Sequence, residues 1–294
     1  MGAADVVPGV SGGTIAFITG IYEELISSIR SVNLKALKIL FSQGPAAFWN
    51  HINGWFLVSL FGGIGISVVS LAKIILFLLH NHAVLLWSFF FGLIIASAVL
   101  VSRTVNKWSA SSIVSLLVGG VIAYFISVAT PSETPDEYWF VFISGMIAIC
   151  AMILPGISGS FILLLLKKYE FVTTAISEAN VVVIAVFGAG AAIGLAAFSN
   201  VLNWLFKKFH DQTIALLSGF MIGSLNVVWP WKNVLEWRIN SKGEEVPVIY
   251  ESVSPWNFEG ENNLLLACVL IVVGVLVIWA VDFLGGKTKS TTNG

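Results

Sequence analysis

The chain has 294 residues, 57% hydrophobic and only 11% charged, with a formal net charge of −1 and a mean hydropathy of +0.92. Water-soluble domains carry about 25% charged residues, so this composition cannot cover a solvent-facing surface and is that of an integral membrane protein. The balanced charge and the lack of any nucleic-acid motif exclude a nucleic-acid partner from the expectations.

In chain order, the first apolar region, about 4–29, carries Asp5 and is broken at Pro8-Gly9, where the stretch GVSGGT begins. It has no basic n-region, so it is not read as a signal peptide. A connection at 30–54 holds Arg30, Lys35 and Lys38. Three runs long enough to span a bilayer follow, at 55–79, 83–101 and 111–129, with Arg103 and Lys107 between the last two. A short acidic connection (Glu133, Asp136, Glu137) leads into a second interrupted region, 139–176, broken at Pro155-Gly156 within GISGSF. Spans at 181–206 and 212–229 flank Lys207 and Lys208, and a glutamate-rich connection at 230–262 precedes the last span, 263–285, and Lys287 and Lys289.

The Lys/Arg bias places 30–54, 102–110, 207–211 and the C-terminus in the cytoplasm and the acidic connections outside. Threading the spans through that map leaves 139–180 to enter and return on the outer side, as a re-entrant hairpin with Pro155-Gly156 at its tip. By the same count the first interrupted region dips in from the cytoplasm. Lys167 and Lys168 fall outside and go against the bias.

Residues 4–29 align without gaps on 151–176 at an offset of 147, with nine identities, among them Pro8/Pro155, Gly9/Gly156, Ser11/Ser158, Gly12/Gly159, Tyr22/Tyr169 and Glu23/Glu170. FGGIGISVVSLAKIILFLL is echoed by FGAGAAIGLAAFSNVLNWLF further on. The expected fold is therefore an all-α polytopic membrane protein, one membrane domain over 1–294, built as an inverted-topology repeat. The first repeat is 1–130 (re-entrant hairpin about 1–29 and three transmembrane helices). The second is 139–285 (hairpin about 139–178 and three more). Paired broken elements at matching positions of two inverted halves point to a transporter's midplane site. The first hairpin has almost no arm before Pro8, so the numbering is expected to start at an internal Met, with roughly 15 native residues, ~20 Å of helix, ahead of it.

After each Pro-Gly the sequence reads as a helix start, with Ser11 or Ser158 as the cap. The first amides of a helix have no intrahelical partner, and the dipole there favours an anion. Ser11 lies 12 residues before Glu23, ~18 Å of helix, which puts the tips near midplane and Tyr22-Glu23 near the surface. Ser11, Gly12, Gly13 and Thr14, with Ser158, Gly159 and Ser160, are thus the candidate anion cradle. Breaking backbone at that depth costs several kcal/mol per unsatisfied group, roughly, which favours function over mere close packing. Asp5 reads as a proton site, a partner for a coupling cation, or a cap for a nearby amide. Glu23 and Glu170, beside Tyr22 and Tyr169, read as gates, proton sites or headgroup-facing groups. Gly190/Gly194 and Gly219/Gly223, inside unbroken spans, read as close helix contacts. Lys73 is expected to snorkel, His51, His80, His82 and His210 to be ordinary surface residues, and Trp49, Trp55, Trp139, Trp229 and Trp231 to form an aromatic belt. Cys150 and Cys268 read as small hydrophobes rather than a disulfide or metal pair.

The stretches MGAADVVPGVSGGTIAFITGIYEELI, LPGISGSFILLLL and LLSGFMIGSLNVVWPW resemble the bacterial PopT family of undecaprenyl-phosphate translocases, over most of the chain up to about Trp231. The resemblance implies flipping of undecaprenyl phosphate from the outer to the inner leaflet of the cytoplasmic membrane, recycling the lipid carrier for peptidoglycan and other envelope polymers. Lys167-Lys168 stand where the first copy has Gly20-Ile21, a departure at the outer mouth of the second hairpin. No cofactor is expected. Without a Walker-type loop, ATP is not the expected driver, which leaves downhill transport or coupling to H+ or Na+. The alternative is an anion channel or small-anion transporter. No nucleophile or acid/base constellation suggests an enzyme, and no metal site is expected. Oligomeric state is left open.

Overall fold

The computed structural model describes residues 1–2, 11–239 and 245–291. Asp5 and the Pro8-Gly9 break fall outside the described residues. The described chain is helical apart from one β-hairpin. A short helix α1 (Gly12–Ile18) leads into α2 (Tyr22–Ser31), α3 (Leu34–Gln43) and α4 (Pro45–His51), then three long helices, α5 (Gly54–Asn81), α6 (Ala83–Ser102) and α7 (Ala110–Val128). The second half runs α8 (Tyr138–Ile153), a break, α9 (Gly159–Leu165), α10 (Tyr169–Ser177), α11 (Val181–Lys208), α12 (His210–Gly223) with a 3-10 turn at Ser224–Asn226, the strands β1 (Lys232–Ile239) and β2 (Glu245–Ser252), and α13 (Leu264–Thr291).

Five of these helices (α5, α6, α7, α11 and α13) are long and apolar enough to cross a membrane. Val58, Phe61, Ile66 and Val69 on α5 and Val269, Val272 and Leu276 on α13 are all at least half exposed. A continuous apolar exterior of this kind is stable only against lipid. The chain is a multi-pass membrane protein. The sixth expected span, 212–229, is helical only to Gly223 and then tightens into the 3-10 turn. Pro230 disfavours helix just before it, and Gly223 is fixed against α7, where a Cβ would lie 2.2 Å from the Gly120 carbonyl oxygen.

Contacts between loops gather at two ends. At one, Glu24 accepts from Asn53 Nδ2 (2.8 Å), Glu23 approaches His210 (3.5 Å), and Asp211 accepts from the backbone amides of Asn106 (3.1 Å) and Lys107 (3.0 Å). At the other, Ser132 N donates to Leu165 O (2.9 Å), Lys167 pairs with Glu133 (3.3 Å), and Lys168, 1% exposed, bonds Asp136 and the Thr134 carbonyl. The two lysines that break the charge bias are thus neutralised by the acidic connection that precedes α8. The chain leaves that end along α8 and is back at it after α9.

Glycines set the helix seams. A Cβ on Gly92 of α6 would sit 2.0 Å from Ile271 O of α13, and one on Gly274 of α13 would sit 2.3 Å from Phe89 O of α6. The same reciprocity joins α7 to α12 through Gly119 and Gly219, and α8 to α11 through Gly145 and Gly190. Gly190, Gly194, Gly219 and Gly223 are close helix contacts, the role small residues take where helices pack without water.

The antiparallel hairpin β1–β2, in register Lys232↔Ser252 to Ile239↔Glu245, was not expected from the sequence. It belongs to a cap on the second end, whose apolar base joins Trp231, Val84 and Ala267. Trp231 is 4% exposed, donates to Asn262 O (2.8 Å) and lies under this cap rather than in an aromatic belt. Trp229 likewise donates to Val253 O (2.8 Å).

Candidate functional site

The sequence between α8 and α9 specifies a sharp reversal. Leu154-Pro155-Gly156-Ile157 has Pro in the second position and Gly in the third, and Gly156 takes φ +86°, the choice a type II turn demands. Ile157 N closes the turn on Leu154 O at 3.5 Å. Pro155 is buried. A helix that ends inside the protein leaves carbonyls to be satisfied, and here the other half of the chain satisfies them. Ser11 Oγ donates to Met152 O (3.1 Å) and Tyr22 OH donates to Ile153 O (3.1 Å). In return Gly156 N donates to Thr14 Oγ1 (3.0 Å). Gly13 lies so close to α8 that a Cβ would be 2.5 Å from Ile153 O. The two Pro-Gly-x-Ser-Gly motifs, 147 residues apart, therefore meet.

Their serines are used differently. Ser11 is an N-cap in extended conformation (φ −110°, ψ 131°) that accepts from Gly13 N at 3.1 Å. Ser11 is 2% exposed and Thr14 is fully buried, so one of the amides expected to face an anion, that of Gly13, already has a hydroxyl partner, as does the Gly156 amide of the turn. Ser158 has the same cap dihedrals (φ −100°, ψ 134°) but makes no capping bond. Its Oγ pairs with Ser160 Oγ at 2.7 Å. This second tip faces a recess of about 10 Å3, lined by Ser127, Gly156, Ile157, Ser158, Ser224 and Val227 among others, roughly the room one water needs. From the recess a polar chain runs outward: Asn226 Nδ2 donates to Ser127 Oγ (3.2 Å), and Ser252 Oγ of β2 donates to Asn226 Oδ1 (2.9 Å).

The remaining candidates divide. Tyr22 is buried, with its ring 4.7 Å from that of Phe17 and 6.0 Å from that of Phe206, so it braces the tip contact. Tyr169, its sequence counterpart, is 40% exposed. Glu23 reaches the first end and His210, which is therefore more than an ordinary surface residue. Glu170 opens α10 at the other end. Gly12 and Gly159 begin α1 and α9. Sequence reasoning missed Ser127, Ser224, Asn226 and Lys232, which lie in stretches read as two spans and a loop. Only the polar spots within the apolar run 212–229 marked two of them.

A helical multi-pass architecture with a buried helix break at Pro155-Gly156, bonded by Ser11, Thr14 and Tyr22 of the other half and with hydroxyls collected at the break, defines the class of polytopic membrane protein with an internal polar site. Residues 1–246 match the family model described as undecaprenyl phosphate translocase-like. The chain is 48% identical over 286 residues to a polyprenyl-phosphate transporter of Vibrio cholerae serotype O1, covering 96% of this chain and 93% of that protein. It is 33% identical over 261 residues to a polyprenyl-phosphate transporter of Staphylococcus aureus, covering 82% and 87% respectively. No solved structure matches. The chain belongs to the undecaprenyl phosphate translocase-like family.

Proposed function

We propose that this protein carries the phosphate head of a polyprenyl phosphate, undecaprenyl phosphate in the first instance, from the outer to the inner leaflet of the cytoplasmic membrane, returning the lipid carrier for envelope synthesis. The observation that carries this reading is the meeting of the two Pro-Gly-x-Ser-Gly tips through Ser11–Met152 and Thr14–Gly156. The names of the two relatives give the substrate class. A phosphate carries one to two negative charges, and taking it bare through hydrocarbon costs on the order of tens of kcal/mol. Hydroxyls and amides that replace its water, without a resident cation at midplane, lower that cost. The isoprenoid tail stays in lipid throughout.

The 138–177 segment is proposed to be re-entrant, since it leaves and rejoins the end that holds Ser132–Asp136, and the two halves to be an inverted pair. Support for the pairing comes from the packing. The helix that follows the first long one of each half, α6 or α12, lies against the next helix of the other half, α13 or α7. In this conformer Ser11 and Thr14 are bonded to α8 and the turn that follows it, while Ser158 faces the recess with Ser160 bonded to it. That is the arrangement of a carrier closed toward the cytoplasm. Rocking of one half against the other would break the Ser11 and Thr14 bonds and free Ser11, Gly12, Gly13 and Thr14 for the phosphate, as Ser158, Gly159 and Ser160 release it. Asp5, Glu23 and Glu170 are the candidate groups for H+ or Na+ coupling, with Tyr22 and Tyr169 beside two of them.

The test is reconstitution into proteoliposomes with undecaprenyl phosphate, with and without pH and sodium gradients. The wild type is expected to move the lipid phosphate but not undecaprenol. Ser158→Ala with Ser160→Ala should slow transport about tenfold or more, the worth of one to two bonds to a charged group, with unchanged thermal stability. Full transport by the double variant would overturn the site, and equal movement of undecaprenol would overturn the function.

A further inference from the structure

Lys232 is a cation that the tip contacts do not explain. It opens β1, directly after the segment that closes the recess, and its Nζ donates to the carbonyl of Val227, a residue of the recess wall. Two aromatic rings face it, Trp87 of α6 with its centroid 4.7 Å away and Tyr250 of β2 at 5.4 Å. Among the described residues no carboxylate lies within ion-pair distance of Nζ, although the cap also carries Glu236, Glu251, Glu259 and Glu261. Lys168, which is buried, is by contrast paired with Asp136. An ammonium has three donors. One carbonyl and two ring faces hold the group in place and leave N–H donors for a ligand. Burial pushes its pKa down to about 8. Lys232 also pairs in register with Ser252, whose hydroxyl starts the polar chain through Asn226 and Ser127 into the recess.

We propose that Lys232 is the outer headgroup cation of this protein: its ammonium, fixed between Trp87 and Tyr250 at the rim of the recess, binds a phosphate monoester oxygen of a membrane lipid before the head passes to Ser158 and Ser160. This rests on the lipid-phosphate reading above. The aromatic rings have a second use in that arrangement. They keep a long cation from folding back into lipid, so that an incoming anion meets it already oriented. A point charge at the entrance, rather than at midplane, attracts the head without trapping it there.

The experiment measures binding of undecaprenyl phosphate, undecaprenol and inorganic phosphate to the full chain in nanodiscs, with transport assayed on the same preparations. Lys232→Gln is expected to weaken binding of the lipid phosphate about tenfold, Lys232→Arg to retain most of it, and undecaprenol to show no difference among the three proteins. A second measurement needs no variant: slow acetylation of Lys232, followed by peptide mass spectrometry, should be retarded by undecaprenyl phosphate and not by undecaprenol. Unchanged binding by a folded Lys232→Gln protein, or acetylation indifferent to the lipid phosphate, overturns the proposal. Protection by inorganic phosphate and not by the lipid would overturn the lipid as its source. A wild type that moves no lipid phosphate would instead sink the functional reading itself. Wild-type transport with an indifferent Lys232 sinks only this assignment.

Discussion

Ser11 and Ser158 stand at equivalent positions of the repeat and share one backbone conformation, yet their hydroxyls have different partners. Ser11 accepts from Gly13 N and donates to Met152 O, while the Ser158 hydroxyl pairs with that of Ser160. The difference follows from what each faces: the first lies against the end of α8, the second against the recess. Thr14 shows most clearly what the contact is worth. It is fully buried, and its hydroxyl is the partner of Gly156 N. Thr14→Val keeps the shape and removes the acceptor, leaving a buried amide unsatisfied at a cost of about 1–3 kcal/mol. Thr14→Ser keeps the bond. Thermal unfolding in detergent should therefore fall for Val and move little for Ser; equal midpoints would mean that the Gly156 amide finds another partner. Both motifs could be read directly from residue types, because Pro, Gly and Ser in that order have few uses inside an apolar run. That they meet could not be read, since a hydrogen bond from Ser11 to a main-chain carbonyl at Met152 leaves no trace in the identity of residue 152.

Helices and strands were unequally legible. The long helices announce themselves through unbroken hydropathy, and the glycine pairs within them suggested close seams. Gly219 tests one of the tight ones, since a Cβ there would lie 2.1 Å from Leu116 O and neither backbone can yield. Gly219→Val should separate α12 from α7 and cost on the order of 1–3 kcal/mol or more, read as a lowered unfolding midpoint. The same change at Gly62, which has nothing within 4 Å, should be tolerated. The short α12 and the hairpin β1–β2 were hidden for opposite reasons: apolar residues continue past the true helix end at Gly223, and a glutamate-rich connection resembles solvated loop. The first turn of α12 also carries a pH dependence. Amides of Asn106 and Lys107, together with the Asn106 side chain and His210, hold the Asp211 carboxyl below its usual range. A lowered folded-state pKa contributes stability that is present above the ordinary carboxylate value and is lost as pH falls through the depressed one. Hydrogen exchange at Asn106 and Lys107 should thus be slow at neutral pH and quicken, relative to its intrinsic rate, in strong acid. Asp211→Asn should show fast exchange already at neutral pH.

At the scale of the whole molecule, the two ends of the bundle decide how the chain is threaded. Residues 132–136 and 165–168 are bonded to each other, so α8 and α9 together make one excursion from one end and back. The following helix, α10, has nine residues and a reach of about 14 Å, too short to cross a bilayer. On the proposed re-entrant reading, Glu178, just after it, lies on the same side as Glu133, and α11 starts from there and ends at Lys207-Lys208. If 138–177 crossed the membrane instead, Glu133 and Glu178 would be on opposite sides and every later connection would reverse. The distinction can be measured in intact cells. With Cys150 and Cys268 replaced by Ala, single cysteines at Glu133 and Glu178 are expected to react with a membrane-impermeant maleimide from outside, and one at Ser42 only after lysis. Labelling of Glu133→Cys but not of Glu178→Cys would show a crossing, and with it the two halves could no longer be inverted with respect to each other. Labelling of both makes the odd number of crossings in each half, and therefore the inversion, a matter of counting. The two tips would then approach the bilayer centre from opposite faces, as a carrier that presents one phosphate site to each leaflet in turn requires.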